Sequence, residues 1–134
     1  MRNMKSSKNM KNTKKSKKIK AFDFEDGNGL VPAHQHKNGG GWVADTAQVA
    51  ETAYVGPVAL VFGEARVYEE ARVSEEAQVY GKAQVYGQAL VSGKAQVSGE
   101  AQVSGKAQVY GQAWVFDQAQ VFGEARVSGK ARIC

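Results

Sequence analysis

Cysteine, proline, histidine and long apolar runs are what this 134-residue sequence has least of. A single cysteine, at position 134, excludes an intramolecular disulfide, and with it a secreted scaffold held together by disulfides. The apolar runs end after a few residues, far short of the roughly 18 that a membrane-spanning helix needs. No apolar stretch follows the basic N-terminus as a signal peptide requires. These absences predict a cytoplasmic protein with no transmembrane segment. Histidine occurs only at His34 and His36, which limits the acid–base and metal chemistry the chain can support.

Acidic residues are missing from the first twenty positions, which carry nine Lys/Arg. The formal net charge of +5 therefore averages two unlike parts, because residues 21–134 hold nine basic against thirteen acidic side chains, a net of −4. The large apolar residues of the first part are Met1, Met4, Met10 and Ile19, at neither helical nor strand spacing. Such a segment cannot bury enough surface to offset its ordering entropy, so residues 1–20 are expected to be a disordered basic tail. One reading makes it a solubilising leader or an overlong start, with Met4 and Met10 as alternative initiators. The other is attachment to nucleic acid or an anionic surface through Lys14, Lys15, Lys17, Lys18 and Lys20. No aromatic residue interleaves these cations, so any such binding is expected to be non-specific.

What the sequence has in abundance is a repeat. Valine recurs every six residues from Val43 to Val127, Ile133 takes the next place, and alanine stands two residues earlier from Ala47 to Ala131. Six residues advance an α-helix by about 600°, which scatters the valines over three faces. Glycine at nine of the fifteen positions two after valine also opposes a helix. A short strand with Ala and Val pointing inward, followed by a corner, fits the pattern. Because Pro57 and Glu75 stand where glycine usually does, the corner is not expected to demand a positive φ.

The charges indicate how many strands make a coil. Residues on adjacent rungs lie about 4.8 Å apart, where like charges repel. Stacking every 18 residues sets Glu64 on Lys82, Lys82 on Glu100, Glu76 on Lys94 and Lys106 on Glu124, and leaves Glu51 on Glu69. Stacking every 12 sets Glu64 on Glu76 and Lys82 on Lys94. Three strands per coil is favoured, giving about five coils and a prism roughly 24 Å long. The expected division is a tail over 1–20, a cap or linker over 21–41, and the repeat over 42–134. Phe22, Phe24, Leu30 and Val31 make the second segment apolar enough to fold over the first coil.

The unit Val-x-Gly-x-Ala-x resembles the hexapeptide repeat of the left-handed parallel β-helix superfamily, which includes trimeric acyltransferases and γ-class carbonic anhydrases. The resemblance implies an all-β, single-stranded left-handed parallel β-helix and a homo-oligomer, with a trimer as the family's common form. The lead-in Asn38-Gly39-Gly40-Gly41-Trp42-Val43 is similar to that of bacterial and phage-associated hexapeptide-repeat proteins.

Acyltransferases of this superfamily use a histidine base and a loop that interrupts the repeat. Here the repeat runs unbroken, so His34 and His36 are weak catalytic candidates that reach a site only by folding back or across a subunit boundary. The three-histidine zinc site of the carbonic anhydrases is absent, and the stretch Asp23–Gly27 lacks the spacing of an EF-hand loop. No cofactor and no metal is expected, and Cys134 has only Arg132 as a charged neighbour in sequence.

The outward positions carry more information. One wall displays Trp42, Leu60, Phe62, Tyr80, Trp114 and Phe116, five of the ten aromatics in the repeat region. That face is read as either an internal aromatic ladder or an interaction surface. The C-terminal edge, ending on Ile133-Cys134, is expected to be covered by another chain, with Cys134 open to oxidative crosslinking. The leading expectation is a non-enzymatic scaffold or interaction module that self-associates. The alternatives are an acyltransferase-like enzyme and a nucleic-acid-associated protein using the tail.

Overall fold

The computed structural model describes residues 20–134, and those residues form eighteen strands and no helix. The first three are β1 (Ala21–Asp23), β2 (Leu30–Gln35) and β3 (Trp42–Ala44). Fifteen two-residue strands follow at six-residue intervals, from Gln48–Val49 to Arg132–Ile133. From β3 on, each strand up to Trp114–Val115 pairs in parallel with the strand 18 residues further along, Val85 opposite Val103 and Val91 opposite Val109, so three strands make a coil. Three walls result: a first containing Val43, Val61, Val79, Val97, Val115 and Ile133, a second containing Val49 to Val121, and a third containing Val55 to Val127.

The core is the consequence of inward Ala and Val at every strand. Twelve valines, from Val43 to Val115, are fully buried, and the alanines from Ala53 to Ala113 are buried with them. At roughly 1.5–3 kcal/mol per buried valine the interior supplies the main driving force, distributed coil by coil. Val49 is only half-buried because its strand is the N-terminal edge of the second wall and nothing pairs outside it among the described residues.

The corners differ from expectation. All twelve positions two after valine from Gly63 to Gly129 take a positive φ, including Glu69 at 59°, Glu75 at 56° and Asp117 at 56°. In each, the alanine N–H closes a turn on the carbonyl three residues back, as Ala83 does on Tyr80 at 3.3 Å. A positive φ at the first central position only is the sign pattern of a type II′ turn. At the two Glu residues the carboxylate accepts the corner N–H one coil on, Glu69 from Gly87 at 2.8 Å and Glu75 from Gly93 at 2.7 Å. Only the first coil, with Asp45, Glu51 and Pro57 in these places, avoids the left-handed region. There Thr52 Oγ1 donates to the Glu69 carbonyl at 2.5 Å, and the Thr46 hydroxyl does the same for Gly63.

Stacked corners also restrict volume. A Cβ on Gly99 would lie 2.7 Å from the Asp117 nitrogen, whereas one on Gly123, at the same φ of 65°, meets nothing within 4 Å. Gly123→Ala is therefore expected to cost about 1–2 kcal/mol from conformation alone. Gly99→Ala should cost at least about 1 kcal/mol more, because backbone must shift. Urea unfolding of the two variants checks this; equal losses would show that corner stacking contributes nothing.

The segment before the repeat extends the first wall. β1 and β2 form an antiparallel hairpin, and β2 lies antiparallel on β3 with His34 opposite Val43. The chain then crosses to the third wall, where Val55 donates to the Asn38 carbonyl and accepts from Gly41. Phe24 is buried and Phe22 and Val31 are half-buried, but Leu30, grouped with them on its hydropathy, is 72% exposed.

Candidate functional site

The two histidines have separate jobs. His36 is buried, and its Nε2 donates to the Ala53 carbonyl at 2.8 Å, where Asn38 Nδ2 also donates at 3.2 Å. A carbonyl only accepts, so the proton sits on Nε2 and that nitrogen is committed to holding the 36–41 crossover. His34 Nδ1 lies 2.7 Å from Asp45 Oδ1, with both side chains about half exposed. The structure thus gives one candidate base a carboxylate partner and takes the other out of reach of solvent.

The first-wall face is partly occupied by the chain itself. The Phe22 ring stacks on Trp42 at 4.9 Å, Phe24 on Phe62 at 4.9 Å, and Phe62 on Tyr80 at 4.9 Å. Leu60 packs against this cluster and Phe62 is buried in it. The N-terminal half of the face is therefore an internal ladder that the hairpin completes. Phe22 and Phe24 alternate in sequence as strand residues do, which is the signal that pairs them with an exposed wall. At the C-terminal half, Trp114 packs on Phe116 at 4.6 Å, donates from Nε1 to Ser98 Oγ at 2.9 Å, and lies under the Arg132 guanidinium at 5.6 Å.

A second ladder stands on the second wall. Tyr68 stacks on Tyr86 at 4.8 Å, and their hydroxyls donate to Gln84 and Gln102, each at 3.3 Å. Burial pushes the Tyr68 phenol above its ordinary value, Tyr86 and Glu69 adding to the effect while Arg66 opposes it. The column continues through Ser104 to Phe122, which is 65% exposed.

The corner charges stack every 18 residues, yet they do not close into ion pairs. Among the described residues the one pair within 4.0 Å is His34–Asp45. Glu100 instead accepts from Gln118 Nε2 at 3.2 Å, and Glu69 turns toward Gly87, away from Glu51. The register is held by backbone and core, with the charges solvated. A shallow groove of about 620 Å³ runs past Gly99, Glu100, Asp117, Gln118 and the exposed Cys134, with no histidine in its lining. The described residues contain no cluster of three or more metal-ligating side chains and no helix long and apolar enough to cross a membrane. Of the cationic positions singled out in the tail, Lys20 is described and exposed, while Lys14, Lys15, Lys17 and Lys18 lie outside the described residues.

Repeat, register and core together define a hexapeptide-repeat β-solenoid. A family model described as the YdcK Beta solenoid repeat matches residues 83–99, close to one coil of the prism. No curated protein and no solved structure matches the chain.

Proposed function

We propose that the chain is a non-enzymatic scaffold or protein-interaction module that self-associates, with a cationic tail for anionic partners. The observation that carries this reading is the unbroken 18-residue register, which holds outward side chains in straight columns on three flat walls. Self-association uses the C-terminal half of the first wall, where Trp114 and Phe116 are half-buried in the single chain. Sedimentation velocity at about 10–100 µM is expected to show an oligomer that Phe116→Lys dissociates, since a charge at an apolar contact is strongly unfavourable. A monomer throughout that range overturns self-association. The tail reading predicts that retention on DNA or heparin falls steeply with salt, with a slope set by the number of phosphates neutralised. Retention insensitive to salt removes the tail from that role.

The His34–Asp45 pair favours a second reading, an acyltransferase-like enzyme with His34 as base, because a carboxylate that orients a histidine is the usual support for proton transfer. Calorimetry with an acyl-coenzyme A separates the two. The scaffold reading gives no saturable heat; saturable heat that His34→Ala abolishes favours the enzyme.

A further inference from the structure

The same three-residue column occurs on two walls, and an indole of the chain bonds its serine on one of them. On the first wall Tyr80, Ser98 and Phe116 occupy successive rungs, Tyr80 N–H bonding to Val97 and Ser98 N–H to Val115. On the second wall Tyr86, Ser104 and Phe122 do the same, Tyr86 N–H bonding to Val103 and Ser104 N–H to Val121. In both, an aromatic ring stands on each side of a serine. Adjacent rungs place stacked rings 4.8–4.9 Å apart in this molecule. Rings two rungs apart are therefore separated by roughly 9.6 Å, which leaves room for one flat ring in between.

On the first wall the chain covers that serine itself. Trp114, from the neighbouring column, donates its indole N–H to Ser98 Oγ at 2.9 Å and packs on Phe116, and Ser98 is only 5% exposed. On the second wall the position equivalent to Trp114 is Gln120, which is exposed. Ser104 is left half-buried and Phe122 is left 65% exposed.

We propose that the position over Ser104, between Tyr86 and Phe122, receives the indole of a tryptophan from a partner protein. The inference rests on reading the chain as a protein-interaction module. The molecule supplies the template: an indole over the equivalent serine bonds its hydroxyl and packs on the equivalent phenyl ring. The indole does not come from a second copy, because Trp42 is stacked under Phe22 and Trp114 is engaged with Ser98. A polypeptide fits better than a nucleic acid. The corner column beside the slot stacks Glu70, Gln88, Lys106 and Glu124, so phosphates would meet two carboxylates for one ammonium.

The test is an amide-resolved NMR titration of the full chain with N-acetyl-tryptophanamide, alongside N-acetyl-tyrosinamide and adenosine monophosphate. The tryptophan probe is expected to shift the Ser104 and Phe122 amides saturably while the filled counterpart, Ser98, stays in place. Gln120→Trp should fill the slot from within, protect Ser104 and weaken probe binding more than tenfold. Phe122→Ala, at an exposed position that leaves the core intact, should weaken it about fivefold. The proposal is overturned if Ser104 shows no saturable shift, if Ser98 shifts equally, or if adenosine monophosphate saturates the site at lower concentration. It is also overturned if folded Gln120→Trp binds as the parent does. The slot lies on the second wall and the self-association face on the first, so absence of these shifts removes the slot without touching self-association, which sedimentation decides separately.

Discussion

Val91→Asp is expected to abolish cooperative unfolding. Val91 is fully buried in the third wall, paired with Val73 below and Val109 above. The interior there consists of Ala and Val, which offer a carboxylate neither hydrogen bond nor counter-ion. A buried unpaired charge costs several kcal/mol even after relaxation, comparable with the whole stability of about 5–15 kcal/mol of a small domain. The effect should spread, since each coil is supported only by its neighbours. Val91→Ala, which removes methyl groups and buries no charge, should lower stability by only about 2 kcal/mol. Circular dichroism melting of both variants checks the pair. An aspartate variant that keeps the parent melting temperature would mean that position 91 does not face the interior.

The second large effect lies at the crossover. A Cβ on Gly41 would sit 2.3 Å from the Gly56 carbonyl oxygen and 2.4 Å from Val55 Cγ1, and one of those contacts is backbone that cannot swing aside. Gly41→Ala is therefore expected to lift the 36–41 segment off the third wall at a cost of about 3 kcal/mol. The bonds between Val55 and residues 38 and 41 would go with it, and so would the seat of His36. Gly40→Ala adds a Cβ that touches nothing, although its φ of 84° is strained, and should cost about 1–2 kcal/mol. Amide exchange at Val55 separates the two. Fast exchange in Gly41→Ala with protection kept in Gly40→Ala is the expected result, and equal protection would show that the crossover is not clamped.

The repeat was legible because one physical rule, alternation of inward and outward side chains, acts on every strand from Gln48 to Ile133. The 18-residue coil was also legible from the corner charges. The structure nevertheless shows Glu64, Lys82 and Glu100 solvated, so those residues avoid repulsion and do not hold the coil together. Corner geometry at Glu75 departs from the expectation: its φ is positive, and its carboxylate accepts from Gly93, a partner that is in place only once the next coil has formed. The filling of the first-wall face was hidden for a similar reason. Phe22 and Phe24 reach Trp42 and Phe62 only through antiparallel pairing of β2 on β3, whose register is set by the glycine-rich crossover. The equivalence of Ser98 and Ser104, and the substitution of Gln120 for Trp114 beside it, likewise require the register before they mean anything.

The three-strand coil on which all of this depends is tested most directly by paired cysteines in a Cys134→Ser background. Gln108 and Arg126 lie opposite each other on adjacent rungs of the third wall, whereas Gln108 and Gln120 lie on different walls. Rung neighbours stand about 4.8 Å apart, within the 4.4–6.8 Å between Cα atoms that a disulfide spans. Gln108→Cys with Arg126→Cys is expected to crosslink within the chain under mild oxidation, while Gln108→Cys with Gln120→Cys stays reduced. Crosslinking of the pair 12 residues apart, with the pair 18 apart remaining free, would contradict the three-sided solenoid.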